Sequence, residues 1–197
     1  MKSIFSKLSL FLVLFFTLLY TESQSQETVT CEINTSLGNI LIEVYPEKAP
    51  ITTSNFLKYV NSEGYSNSSF FRVCTKDNEA NRAIQIEVIQ GGNIPDSLRF
   101  EPIKLETTKQ TGLKHLNGTV SMARANANTA TSSFFICIND QPELDFEGKR
   151  HSDGLGFAAF GKVIKGMDVV LKIQALENKK QYLINPVNIE SIKRISN

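Results

Sequence analysis

From Thr28 onward the chain is a series of short apolar runs, rich in β-branched and aromatic residues and separated by turn-forming residues. Runs of this length suit strands better than long helices. "TVTCEIN" (28–34) and "NILIEVY" (39–45) flank "TSLG", a compact turn with a glycine, and so predict a hairpin. Further strands are predicted at "FFRV" (70–73), "IQIEVIQGG" (84–92), "TVSMAR" (119–124), "SSFFICIN" (132–139), "FAAFGKVI" (157–164) and "NPVNIESIKRI" (185–195). Only two stretches change period. In 47–65, Pro50 suits a first helical position, Phe56, Leu57 and Val60 form an apolar stripe, and Gly64 is a stop signal. In "GMDVVLKIQAL" (166–176), Val169, Val170 and Ile173 fall on one side of a second short helix. The segments 95–118 and 141–156 read as long loops. About eight strands and two short helices predict a mainly β fold, either an antiparallel barrel or a sandwich; periodicity leaves both open.

The 197 residues suit one domain with a substantial core. Lys and Arg total 21 against 20 Asp and Glu, a balance without the basic excess of a nucleic-acid-binding surface, and no nucleic-acid partner is expected. The first residues are of a different kind. Lys2 and Lys7 precede an apolar run from Leu8 to Tyr20, and polar "TESQSQE" follows. As a helix that run spans roughly 20 Å, short of a ~30 Å hydrocarbon core. The pattern reads as a signal peptide over 1–25, with Ser23 and Ser25 as candidate cleavage positions, ahead of a domain over 26–197. A retained membrane anchor is the alternative. The odd number of cysteines (Cys31, Cys74 and Cys137) rules out full internal pairing and fits buried thiols. His115 and His151 lie far from any cysteine pair, so no metal site is expected.

One strand poses a chemical question. "SSFFRVC" (68–74) places Arg72 among Phe70, Phe71, Val73 and Cys74. Strict alternation sets Arg72 on one face with Phe70 and Cys74, and Phe71 and Val73 on the other. Such an arginine is either a solvated edge charge or a charge held in place for chemistry.

The pieces "SFFRV", "IQGG", "GTVSMA", "SSFFI", "LD" and "FGKVIKGMDVV", in that order, resemble cyclophilin-type peptidyl-prolyl cis-trans isomerases, and the "SMAR" and "FAAFGKV" variants are most similar to the bacterial exported members. The resemblance runs from Thr28 to the C-terminus. It implies a closed eight-stranded antiparallel barrel with a helix at each end. It also implies cis–trans isomerisation of X–Pro bonds in proline-containing polypeptides, with no cofactor. Together with the leader it implies a monomeric folding helper for exported proteins, periplasmic or secreted, not stably inserted in the membrane after processing. A module that binds proline segments, or a holdase with little turnover, is the alternative.

Residue by residue, Arg72 matches the family's catalytic arginine, Gln90 the glutamine that grips the substrate backbone, and Phe135 the floor of the proline pocket. Ala123 and Arg124 fall where the family offers backbone groups to substrate, and Leu144 at a pocket wall. Other positions depart from the pattern. The glutamine before the paired phenylalanines is Ser133, the pocket histidine is Phe157, and the tryptophan of cyclosporin-sensitive members is Glu143. Alignment on "IQGG" puts Glu87 and Val88 where a phenylalanine and a methionine are usual, to within a residue or two. Arg124 replaces the usual asparagine and predicts a more positive rim. The segment between Arg72 and Gln90, including the polar "TKDNEANRA", is longer than in typical members. These matches place Arg72 in a groove outside the barrel, with Phe71 and Val73 turned to its core.

Overall fold

The computed structural model describes residues 28–66 and 68–195; the expected signal peptide lies outside them. β1 (Val29–Thr35) and β2 (Gly38–Val44) form the hairpin expected from the sequence. The other strands are β3 (Ser68–Cys74), β4 (Val88–Gly91), β5 (Thr119–Met122), β6 (Phe134–Cys137), β7 (Ala158–Lys165), β8 (Asn178–Lys179) and β9 (Tyr182–Ile195). Their order is β1-β2-β7-β5-β6-β4-β3-β9, and β9 pairs back onto β1. All the pairings are antiparallel. The sheet is therefore a closed eight-stranded barrel rather than a sandwich, and closure leaves few edges for unwanted pairing. The two-residue β8 hangs outside the closed ring and pairs only with β9.

The core fills with the inward residues of each strand and with two helices. α1 (Pro50–Asn61) starts at the predicted proline and buries Phe56, Tyr59 and Val60. Phe56 meets Phe134 edge-on at 5.7 Å and Phe160 at 5.2 Å. The residue before α1, Ala49, has no side-chain oxygen to cap it. Glu106 supplies the cap from the long loop: its carboxylate accepts the Ile51 N–H at 3.1 Å and the Thr52 N–H at 2.7 Å. That loop is not structureless. It holds α2 (Thr108–Thr111), where Gln110 Oε1 accepts the Thr107 N–H at 2.8 Å and Gly112 ends the turn at φ +71°. α3 (Met167–Gln174) buries Val169, Val170 and Ile173, as its periodicity predicts.

β3 departs from strict alternation. Phe70 lies opposite Gly91 and Arg72 opposite Gln90, so Phe71 is an extra residue, a β-bulge. The bulge puts Phe70 and Val73 in the barrel core and Arg72 and Cys74 on the outer face. Phe71 is not a core residue: it is half-buried and stacks on Tyr182, 6.3 Å away. The expected pairing of Arg72 with Phe70 on one face, and of Phe71 with Val73 on the other, is corrected accordingly. Gly91 is required here, because a Cβ on it would stand 2.7 Å from the Phe70 ring.

Candidate active site

Outside the barrel lies a second, smaller apolar cluster of Cys74, Ile86, Val88, Phe135, Cys137 and Leu144, with Ala123 and Phe157 packed against it. Strand alternation builds it. On β4, Val88 and Gln90 face outward while Ile89 points into the core; on β6, Phe135 and Cys137 face outward while Phe134 and Ile136 point in. The register then aligns one rung across three strands. Gln90 lies opposite Arg72 on one side and opposite Phe135 on the other. Residues far apart in sequence thus stand side by side on rigid strands, which positions them better than loops would.

They line a cleft of about 200 Å³. Arg72, Gln90 and Phe135 are in it, as are Val88, Ala123, Arg124, Leu144 and Phe157. Ser133 is not a lining residue: its hydroxyl turns to the Gly92 carbonyl, 3.4 Å away. Glu87 does not line the cleft either, since its carboxylate accepts from Asn139 Nδ2 at 3.1 Å. The wall is formed by Ile86, two residues before Val88, so Glu87 is not itself a pocket residue. Arg150 and His151 also reach the cleft from the 141–156 loop, and the sequence reading did not place them there. Glu143, in place of the family's tryptophan, turns its carboxylate to the Lys149 N–H at 2.8 Å.

The floor is Phe135, only 5 % exposed. Phe157 meets it edge-on at 5.5 Å. Beneath it, His115 stacks nearly parallel at 6.0 Å. The imidazole is fixed at both ends, Nδ1 to Asp145 at 2.8 Å and Nε2 to the Ser121 hydroxyl at 2.9 Å. This serine–histidine–aspartate chain is sealed: Ser121 is 0 % and His115 1 % exposed, so it supports the floor and offers no nucleophile. Burial pushes the His115 pKa below its ordinary 6.5, and the Asp145 hydrogen bond only partly offsets that. Burial also pushes the Cys74 thiol up to about 11, so it carries no thiolate at neutral pH. All three cysteines are buried and free of disulfides.

Three arginines reach the cleft and are held in different ways. Arg124 grips Asp153 with both terminal nitrogens, at 2.7 and 2.8 Å, and donates to the Gly156 carbonyl at 2.8 Å. Its side chain is 1 % exposed and lies over the Phe157 ring. The positive rim expected from Arg124 is therefore absent: its charge is neutralised and covered. Arg150 pairs with the buried Glu79 carboxylate. Burial pushes the Glu79 pKa up, but the hydrogen bond and charge of Arg150 more than offset it, leaving it below the usual 4.5. Arg72 makes no salt bridge among the described residues. Its Nη1 donates to Gln90 Oε1 at 2.8 Å, and Nε and Nη2 donate to Gln181 Oε1 at 3.0 and 2.6 Å. Both partners are neutral amide oxygens. The guanidinium is thus aimed without being neutralised.

Comparison with known proteins agrees with this fold. The family described as "Cyclophilin type peptidyl-prolyl cis-trans isomerase/CLD" matches residues 29–194. The chain belongs to this family. A peptidyl-prolyl cis-trans isomerase of Acinetobacter baylyi is 39% identical over 170 residues, 84% of this chain and 82% of its own. Peptidyl-prolyl cis-trans isomerase B of Escherichia coli is 35% identical over 164 residues, 81% of this chain and 92% of its own. A cyclophilin-type isomerase of Cryptosporidium parvum, solved in the presence of the dipeptide Ala-Pro, shares the fold: its TM-score is 0.67 at 24% identity, covering 85% of this chain and 99% of that one. The protein is a peptidyl-prolyl cis-trans isomerase, an enzyme whose family acts on proline-containing peptides.

Proposed function

We propose that this enzyme isomerises X–Pro bonds in exported proteins, acts as a monomer, and works by non-covalent stabilisation of the twisted amide through Arg72. Rotation about an X–Pro bond is slow because amide resonance must be lost; the barrier is ~18–20 kcal/mol. In the twisted state the proline nitrogen regains its lone pair and the carbonyl loses its resonance partner. A fixed donor beside them stabilises that state more than the planar one, and does so most where water is excluded.

The observation that carries this reading is the state of Arg72. A guanidinium has five N–H groups, and three of those of Arg72 are committed to Gln90 and Gln181. The others remain for substrate, and the charge behind them is whole. Phe135, Leu144 and Val88 give an apolar slot beside it. At about 200 Å³ the slot is smaller than the ~300–1,000 Å³ of drug-sized sites, which suits one proline ring.

Export rests on the leader composition of residues 1–25. Among the described residues no helix is long and apolar enough to cross a membrane.

The test compares two activities of the protein lacking residues 1–25, in wild type and in Arg72→Ala. Loss of isomerisation in the variant, with suppression of client aggregation unchanged in both, is the expected result. Equal isomerase rates would overturn the mechanism. Recovery of the full-length protein only from the cytoplasm, unprocessed, would overturn export.

A further inference from the structure

The side chain that aims Arg72 is itself aimed, and by a residue outside the cleft. Gln181 sits in the two-residue turn between β8 and β9, where Lys180 and Gln181 both have positive φ, 51° and 76°. Its amide oxygen takes two of the Arg72 hydrogen bonds, and its amide nitrogen donates to the Glu79 carboxylate. An amide can be turned over with almost no change of shape. A carboxylate settles which way it points, because an ionised carboxylate only accepts. Glu79 holds the NH₂ group of Gln181 and thereby turns its oxygen toward Arg72.

Glu79 is built for fixity. It is 0 % exposed, and Arg150 engages both of its oxygens. Its loop, 75–87, is pinned locally. Asn78 Oδ1 accepts the Thr75 N–H at 2.9 Å, and Asn78 Nδ2 donates to the Val73 carbonyl at 3.1 Å and to Asn178 Oδ1 at 3.0 Å. The last of these ties the loop to the same hairpin that carries Gln181.

We infer that Glu79 and Gln181 are positioning residues for the isomerase reaction, forming a chain from the loop after β3 through the β8–β9 turn to the Arg72 guanidinium. The inference rests on the reading of Arg72 as the catalytic group. The polar loop after Arg72 is then part of the catalytic apparatus rather than a variable surface insertion. It makes the same buried carboxylate hold Arg150 directly and Arg72 through one amide.

The test uses Gln181→Asn, Glu79→Gln and Arg72→Ala in the protein lacking residues 1–25. Asparagine tolerates positive φ better than glutamine, so Gln181→Asn keeps the backbone of the turn while its shorter side chain no longer reaches Arg72. The expected result is a fall in kcat of about five- to tenfold in Gln181→Asn and Glu79→Gln, smaller than that in Arg72→Ala because the guanidinium is still present, with KM little changed. The Arg72 Nε–H signal in ¹⁵N NMR, identified by its absence in Arg72→Ala, exchanges slowly with water in wild type and faster in both variants. If Glu79→Gln proves too unstable to assay, Gln181→Asn alone decides. An unchanged kcat and an unchanged Nε–H exchange rate in a folded Gln181→Asn overturn the positioning role. An unchanged rate in Arg72→Ala overturns instead the catalytic reading on which it rests.

Discussion

The imidazole of His115 lies almost parallel to the ring of Phe135, 14° apart at 6.0 Å, and is held there by Asp145 and Ser121. The floor of the cleft thus rests on a buried histidine that is neutral at pH 7. Protonation must compete with burial, which sets the His115 pKa below 6.5 in the folded state. A depressed folded-state pKa means that the unfolded chain binds the proton more tightly. Stability is therefore full above pH 6.5 and falls as the pH drops below it, by at most about 1.4 kcal/mol per pH unit for one proton. Burial pushes the Asp145 pKa up, but the hydrogen bonds from the His115 ring and backbone N–H and the charge of Lys114 more than offset it, leaving it below the usual 3.8, and so it adds its own loss only at lower pH. Chemical denaturation at pH 7 and pH 5 measures the effect: wild type loses stability over this interval, and His115→Gln loses less.

Glu106 caps α1 from 54 residues away, accepting two backbone N–H groups and the Thr52 hydroxyl at the positive end of the helix. Hydrogen bonds to a charged group contribute about 1.5–3 kcal/mol. Glu106→Gln keeps the shape, loses the charge, and lowers unfolding stability by about 1–2 kcal/mol. Because α1 lies away from the cleft, kcat/KM measured well below the melting temperature stays at the wild-type value. Denaturation curves and a peptide assay on the same preparation check both halves.

Arg124 is a structural brace rather than a rim charge. Its forked pairing with Asp153 ties the end of β5 to the 141–156 loop and lays the guanidinium over Phe157. Arg124→Ala releases that loop, which carries the slot residues Leu144, Arg150 and His151. KM rises several-fold and the melting temperature falls, while Arg124→Lys, which cannot form the fork, recovers only part of either. Steady-state kinetics with a proline peptide separate this from the Arg72 variants, which act on kcat.

What could be read from the sequence was whatever sits on regular strands inside short motifs. The Arg72, Gln90 and Phe135 of "FFRV", "IQGG" and "SSFFI" each fall on a strand, and the barrel register turns them into a single rung. The bulge at Phe71 was hidden because periodicity assumes an unbroken pleat. The extra residue is visible only against its partner strand, where Gly91 and Gln90 are consecutive but Phe70 and Arg72 are not. Gln181 and Glu79 were hidden for another reason. They meet across 102 residues, in a two-residue turn and an irregular loop, where no spacing rule connects them. Ile86 shares the face of Gln90 and Val88 by simple alternation; it was overlooked because alignment on "IQGG" drew attention to its neighbour Glu87.

The central claim is that an aimed but unneutralised Arg72 carries the rate. Its most direct test is kcat/KM for a proline peptide in wild type and in Arg72→Ala, with melting temperatures measured alongside. Among the described residues the Arg72 guanidinium makes hydrogen bonds only to two glutamines, and the residue is half-buried, so its removal costs little stability. A charge-assisted hydrogen bond contributes about 1.5–3 kcal/mol, or roughly ten- to a hundredfold in rate. The expected result is a fall of at least about tenfold in kcat/KM with the melting temperature nearly unchanged. A rate equal to wild type in a folded Arg72→Ala protein would contradict it.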